Sequence, residues 1–153
     1  MKANNISIRE FQIEDIPSIA DLTITLGYET TIEQMTTRMK TIAQLDNYWT
    51  FVAVLEETIV GYIGLNKNYF WEQDGHFIRI QALVVSKEHR RFGIGQKLIE
   101  QAEKLSNQIN ASLIVLNCGN KDERKSAHQF YPRMGFEAKS TGYAKKISKL
   151  IWL

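Results

Sequence analysis

Between Val84 and Gly95 the sequence reads Val84-Val85-Ser86-Lys87-Glu88-His89-Arg90-Arg91-Phe92-Gly93-Ile94-Gly95, an apolar strand end that passes through a basic, glycine-spaced turn into a helix-periodic segment. Such a turn suits an anion. The first N–H groups of a helix lack intrahelical acceptors and the dipole is positive at that end, so a phosphate satisfies both. Glycine lets the backbone approach the phosphate without a Cβ in between, and Arg90 and Arg91 can add charge-assisted bonds. The turn matches neither of two familiar phosphate loops. Gly93-Ile94-Gly95 lacks the third glycine of the dinucleotide fingerprint, and no Gly-Lys-Ser/Thr follows it.

Other reactive residue types are sparse. Cys118 is the single cysteine, so no disulfide can form within the chain, and no sequence feature pairs it with a histidine as an acyl-carrying nucleophile. No His, Cys or carboxylate spacing resembles a metal site, so no metal is expected. His89 and His128 read as solvated or helix-packing residues. With 153 residues, 44% hydrophobic and 24% charged, the chain fits one domain spanning residues 1–153. Its net charge of +2 gives no argument for a nucleic-acid partner. No apolar run reaches the roughly 20 residues that cross a bilayer, and the N-terminus carries no signal-peptide core, so no membrane partner and a cytoplasmic location are expected. A monomer and a homodimer both remain open.

The positioning elements follow from periodicity. Ile6-Ser7-Ile8-Arg9 alternates as a first strand. A helix should follow with Asp15 as cap, Pro17 in its first turn, and Ile16, Ile19, Ala20, Thr23 and Ile24 on one face. Gly27 stops it. Thr30 and Glu33 have capping-box spacing for a second helix carrying Ile32, Met35, Met39 and Ile42. Phe51–Leu55 and Ile59–Leu65, joined at Glu56-Glu57-Thr58, predict a hairpin, whose Gly61 and Gly64 fit a bulge or a close backbone approach as readily as a neutral role. Phe77–Val85 forms the next strand and alternation puts Gln81 on one face with Arg79 and Leu83. After Gly95 comes a helix with Leu98, Ile99, Ala102, Leu105 and Ile109, then a buried strand at 112–116, a helix around Ala127 to Met134, and two candidate final strands at 136–138 and 143–147. Hairpins together with a crossover helix predict a mixed α/β sheet of about seven strands flanked by about four helices.

Arg90-Arg91-Phe92-Gly93-Ile94-Gly95 resembles the Arg/Gln-x-x-Gly-x-Gly/Ala acyl-CoA pyrophosphate loop of the GNAT superfamily of N-acetyltransferases. A second segment, from Arg124-Lys125-Ser126-Ala127-His128 through Phe130-Tyr131 to Gly135-Phe136, resembles the branch of that family written Arg-x-x-Ala-His-x-Phe-Tyr-x-x-x-Gly-Phe. The element order is that of a single-domain GNAT-like fold, and Leu26-Gly27-Tyr28 resembles the start of the family's acceptor-side loop.

The resemblance implies a set of roles. Acetyl-CoA is the cosubstrate and an amine the acceptor. Leu83, Val84 and Val85 would offer backbone bonds to the pantetheine arm, Arg90, Arg91, Phe92, Gly93, Ile94 and Gly95 would hold the pyrophosphate, and Asn117 and Arg124 would face the same cofactor. Tyr131 would protonate the leaving thiolate, and a backbone N–H near Val84 would stabilise the oxyanion. The branch usually carries glutamate where this chain has Gln81, which accepts no proton at neutral pH. Either Glu29, Glu72, Asp74 or His76 then serves as base through water, or the amine arrives partly neutral, with Gln81 positioning it. Tyr28, Glu29, Glu72 and His76 are the expected acceptor-side residues, and Tyr69, Phe70 and Trp71 line an acceptor pocket or fold over the core. The expected activity is direct acetyl transfer to a small-molecule primary amine in a ternary complex. A protein lysine or N-terminus as acceptor, and a non-catalytic acyl-CoA sensor, are the alternatives.

Overall fold

Apolar alternation from Ile6 and the β-branched and aromatic runs around Val52, Ile63 and Val84 build one sheet, in a computed structural model that describes residues 5–119 and 125–147. Its five strands lie in sequence order: β1 (Ile6–Glu10), β2 (Tyr48–Leu55), β3 (Thr58–Tyr69), β4 (His76–Val85) and β5 (Ile114–Leu116). β1 through β4 pair antiparallel, while β5 pairs parallel to β4. The sheet is mixed, as expected, but among the described residues has five strands rather than about seven. Residues 136–147 contain none. Tyr143 and Ile147 are 94% and 89% exposed, and strand-forming side chains with nothing to pack against do not hold a strand. The chain divides into two compact units, Met1–Leu116 and Asn117–Leu153. The first holds the sheet and three helices, α1 (Ile16–Leu26), α2 (Ile32–Ala43) and α3 (Ile94–Gln108), and the second holds α4 (Lys125–Arg133). No described helix is long and apolar enough to cross a membrane.

On one face of the sheet α1 and α2 place Ile16, Ile19, Ala20, Leu22, Met35 and Met39 against Val52, Tyr62 and Val84. Ile24 is exposed instead of sharing that face. The capping box of α2 lies one residue later than the Thr30–Glu33 spacing suggests: Thr31 accepts from the Gln34 backbone N–H and Gln34 reaches back to that of Thr31. Burial of Met35 and Met39 sets the helix phase and therefore the position of its first turn. Asp15 does not cap α1 with its side chain. Its carboxylate instead takes both Nη atoms of Arg9, at 2.8 and 2.9 Å, and the Gln12 N–H at 2.8 Å.

Three irregularities mark the ladder. The β2–β3 register runs from Ala53–Gly61 directly to Val54–Ile59, so Val60 is the extra residue of a bulge in β3. The β2–β3 hairpin turns on Glu56 and Glu57 alone, both at positive φ, with Leu55 opposite Thr58. In β4 the register runs from Leu65–Ile80 directly to Gly64–Ala82, so Gln81 is the extra residue of a bulge. Cross-strand partners share a face. Ile80 therefore lies with Leu65 and Ile63, and Ala82 with Gly64 and Tyr62 on the opposite face. The expected alternation across Gln81 is overturned, and Leu83, opposite Ile63, is not on the face of Arg79, which is opposite Asn66.

Gly61 marks a close approach. A Cβ there would stand 2.9 Å from the Val84 carbonyl oxygen and 3.4 Å from both Ile94 and Leu98 of α3. Gly64 has only ordinary contact with Ala82 at 3.8 Å.

Gly61→Ala should cost about 2 kcal/mol in urea unfolding, because the atom in the way is backbone and cannot swing aside, while Gly64→Ala costs under about 1 kcal/mol. Equal costs would overturn the assignment. Asp15→Asn should cost about 1–3 kcal/mol at neutral pH, since it leaves Arg9 unpaired beside a buried amide. The hydrogen bonds from Arg9 hold the Asp15 carboxyl below its ordinary value, against the opposing effect of burial. Its folded value lies under the unfolded one, so its stabilisation is complete above about pH 4 and disappears as pH falls through the folded value. Unfolding midpoints from neutral to acid pH should accordingly fall less steeply in Asp15→Asn than in wild type.

Candidate active site

Among the described residues, the C-terminal half of β4 has no strand partner on one edge. Ser86 N–H donates to Val60 at 2.8 Å, so the hydrogen-bonded pairs with β3 fall at Ser86, Val84 and Ala82. The N–H and C=O groups of Leu83 and Val85 thus point to the other edge. On that side β5 pairs only as far as Ile80, opposite Leu116. Of the backbone N–H groups near Val84, those of Leu83 and Val85 point to this edge, whereas that of Val84 faces β3.

The chain leaves this edge through a 3-10 turn at Lys87–His89, tied by Ser86 Oγ to His89 Nδ1 at 2.5 Å. Arg90 is exposed and its Nε donates to the Val85 carbonyl at 3.4 Å. Arg91, also exposed, sits at φ +71° and Gly93 at φ +78°. Gly93 is the N-cap of α3, and no side chain caps the helix. The first intrahelical bond runs from Lys97 N–H to Gly93, so the N–H groups of Ile94, Gly95 and Gln96 have no acceptor within the helix. Ile94 itself is buried under the sheet while Phe92 is half-buried. No acidic residue occupies this first turn.

Above the bulge, Gln81 is exposed and its Nε2 donates to Asn66 Oδ1 at 2.9 Å. Asn66, 5% exposed, in turn donates from Nδ2 to Asn68 Oδ1 at 3.3 Å. On the same face Tyr62 Oη lies 2.6 Å from Thr23 Oγ1, which donates to the Ile19 carbonyl. The Tyr62 hydroxyl is therefore the donor to Thr23. Burial pushes its pKa above the ordinary phenol value, opposed by the charge of Arg38. Because Tyr62 faces Val84, this bond sets the end of α1 at the level of Val84. The exposed Tyr28 and Glu29 come directly after it, with Tyr28 N–H bonded to Thr23 at 3.1 Å.

The remaining residues expected on the acceptor side lie elsewhere in this unit. His76 opens β4, nine residues before Val85, and at about 3.3 Å per residue that is the far end of the strand. Its Nε2 is 2.6 Å from the Ile109 carbonyl, and its ring meets Tyr69 edge-on. Glu72 and Asp74 are exposed in the loop just before it. Phe70 packs on Phe77, while Trp71 is fully exposed. The structure thus brings together Gln81, Leu83–Val85, Arg90–Gly95 and, through α1, Tyr28 and Glu29. It separates Glu72, Asp74 and His76 from them.

In the second unit Tyr131 is 8% exposed and meets Phe130 and Phe136 edge-on at 5.3 and 5.8 Å. Pro132 is the penultimate residue of α4, where Met134 N–H reaches both Phe130 and Tyr131 and Gly135 at φ +92° ends the helix. Exposed Asn117 places its amide 3.6 Å from where a Gly142 Cβ would be. His128 Nε2 bonds the Gly119 carbonyl at 2.7 Å, and Cys118 is half-buried. Arg124 lies outside the described residues. Among the described residues no three His, Cys, Asp or Glu side chains cluster as metal ligands. Asn66 escaped sequence reasoning, and Thr23 was expected on the inner face of α1 but without its bond to Tyr62. For Asn66 the signal was an amide interrupting the apolar run of β3.

Residues 16–136 match the Acetyltransferase (GNAT) family. No curated protein matches the chain. Among solved structures, a GNAT family acetyltransferase from Staphylococcus aureus is 29% identical, with 94% of this chain and 99% of that one covered and a TM-score of 0.80. A glucosamine-6-phosphate N-acetyltransferase from Arabidopsis thaliana (20% identical, 94% and 99% covered, TM-score 0.79) shares the fold. So does an aminoglycoside acetyltransferase from an uncultured soil metagenomic sample (20%, 94% and 99%, TM-score 0.74).

If the first turn of α3 receives a phosphate through backbone N–H groups, Gly93→Val should weaken acetyl-CoA binding more than Arg91→Ala. The valine adds a Cβ at the approach and cannot readily hold φ +78°, whereas water partly replaces an exposed arginine. Calorimetric titration of both variants checks the order, and the reverse order would rule out backbone recognition.

Proposed function

The chain belongs to the GNAT acetyltransferase family, and we propose that it transfers the acetyl group of acetyl-CoA to the primary amine of a small molecule, by direct attack in a ternary complex. The observation that carries this reading is the continuous track from the Leu83–Val85 edge of β4 to the uncapped N-terminus of α3. Leu83 and Val85 offer backbone donors and acceptors to the amides of a pantetheine arm, and Arg90 to Gly95 offer N–H groups and two cations to a pyrophosphate. These groups fit acetyl-CoA, which supplies an activated thioester.

Acetyl transfer forms a bond from the amine nitrogen to the thioester carbonyl carbon and breaks the carbon–sulfur bond. The N–H of Leu83 or Val85 is aimed to stabilise charge developing on the carbonyl oxygen. Tyr131 is assigned to give its proton to the departing sulfur, and Asn117 and Arg124 to hold the cofactor. Gln81 accepts a hydrogen bond from the amine and takes no proton. The amine attacks in its neutral form, and the proton its nitrogen then loses passes through water to Glu29, which is favoured because its connection leaves α1 at the level of Val84, while Glu72, Asp74 and His76 sit toward the start of β4. The solved relatives named for glucosamine-6-phosphate and aminoglycosides support a small amine over a protein lysine or N-terminus.

Thiol release from acetyl-CoA, measured against sugar amines, aminoglycosides, polyamines, amino acids and peptides, tests the reading. Release with a small amine is expected. Release only with peptides would move the acceptor to protein, and none with any amine alongside tight acetyl-CoA binding would mark a sensor. Cys118→Ala should keep most of the turnover, with initial rates that show a ternary complex, and acetyl label trapped on Cys118 would overturn direct transfer.

A further inference from the structure

The three amides above the β4 bulge form a chain with only one consistent orientation. Asn68 donates from Nδ2 to the backbone carbonyl of Asn66 at 3.4 Å, and a carbonyl can only accept. Asn68 Oδ1 is therefore the atom that faces Asn66, which must present Nδ2 to it at 3.3 Å and turn Oδ1 the other way. Gln81 consequently meets Asn66 with Nε2, at 2.9 Å. Its Oε1 is left outward, on an exposed side chain at the residue that follows the last β4–β5 pair. A polarity set by one backbone carbonyl is thus transmitted through a buried side chain to the mouth of the Leu83–Val85 edge.

We propose that Asn66 is a positioning residue that locks the Gln81 amide with its carbonyl oxygen toward the acceptor, so that the site holds amines by a neutral N–H···O=C bond and takes those that reach it uncharged. The inference rests on the acetyltransferase reading above. A carboxylate at this position would attract an ammonium and could take its proton. An amide does neither. Arg79 lies on the same face, opposite Asn66 in the register, and opposes a second cation there. The fraction of amine already neutral is then set by the acceptor itself. An α-amine of an amino-acid amide, with a pKa near 8, suits this site better than an alkyl amine near 10.

The test compares Asn66→Leu, which removes the partner of Gln81, with Asn66→Asp, which keeps an oxygen to accept from Nε2. Glycinamide and butylamine are the probes, with thiol release from acetyl-CoA as readout. Wild type should prefer glycinamide by roughly tenfold or more in kcat/KM at neutral pH, following the neutral fractions. Asn66→Leu should raise the glycinamide KM about tenfold, the worth of one well-oriented hydrogen bond, and leave the acetyl-CoA KM within about twofold. Asn66→Asp should recover most of that loss. A merely structural role gives the opposite order, because a buried carboxylate disturbs this strand more than leucine does. If Asn66→Leu does not fold, Asn68→Ala makes the same comparison at a half-buried position, with about a threefold rise in the glycinamide KM. Equal shifts in both KM values, a worse Asp than Leu variant, an unchanged KM in the folded variant, or preference for butylamine would each overturn the proposal. Absence of release with either amine in wild type, while the broader panel shows release with none, would fail the acetyltransferase reading instead.

Discussion

The contact on which the sheet, α3 and the loop between them depend is the one at Gly61. Only because β3 has no side chain there can the Val84 carbonyl stand where a Cβ would be 2.9 Å away, and Ile94 and Leu98 settle at 3.4 Å. That closeness brings the end of β4 and the first turn of α3 onto the same point of the sheet. The nine residues between Val85 and Gly95 must then make a tight return, and they do so through a 3-10 turn and positive φ at Arg91 and Gly93. The uncapped helix start faces the same region as the Leu83–Val85 edge because packing beneath it allows no other distance.

The second constraint is the bulge at Gln81. Before it, β4 turns Ile78 and Ile80 toward α3; after it, Ala82 and Val84 join the layer of α1 and α2. The extra residue also changes which backbone groups point to each edge. Ile78 N–H bonds Leu113 on the β5 side, whereas beyond the bulge it is Leu83 and Val85 that face that side. One unpaired residue therefore serves two ends. It lets a single strand feed both hydrophobic layers, and it leaves peptide groups of Leu83 and Val85 without a strand partner among the described residues just where β5 stops.

Polar order supports this arrangement on the α1 and α2 side. Tyr62, Thr23 and the Ile19 carbonyl form a buried donor sequence that ties α1 to the strand carrying Gly61 and Gly64. Arg9 and Asp15 anchor the start of α1 to β1 in the same way, with the acid nearly buried and the guanidinium about one-third exposed. Buried groups of this kind are stable because each has a partner of fixed direction. They fix where α1 ends, and so where Tyr28 and Glu29 begin.

The sequence alone determined the elements with strong periodicity and the glycine turn that opens α3. Ile6–Arg9, the hairpin around Glu56, the helix after the turn and the turn Arg90–Gly95 itself were legible because local pattern and local backbone need coincide there. It overstated the strands beyond Gly135, where β-favouring residues meet no packing surface among the described residues. It placed the α2 box one residue early and gave Asp15 to a cap rather than to Arg9, since neither burial phase nor a residue six positions away is visible in spacing. The face of Gln81 and the role of Asn66 belonged to tertiary structure alone. Alternation assumes an unbroken register, and a bulge is decided by how two strands pair across the sheet, which no single segment encodes.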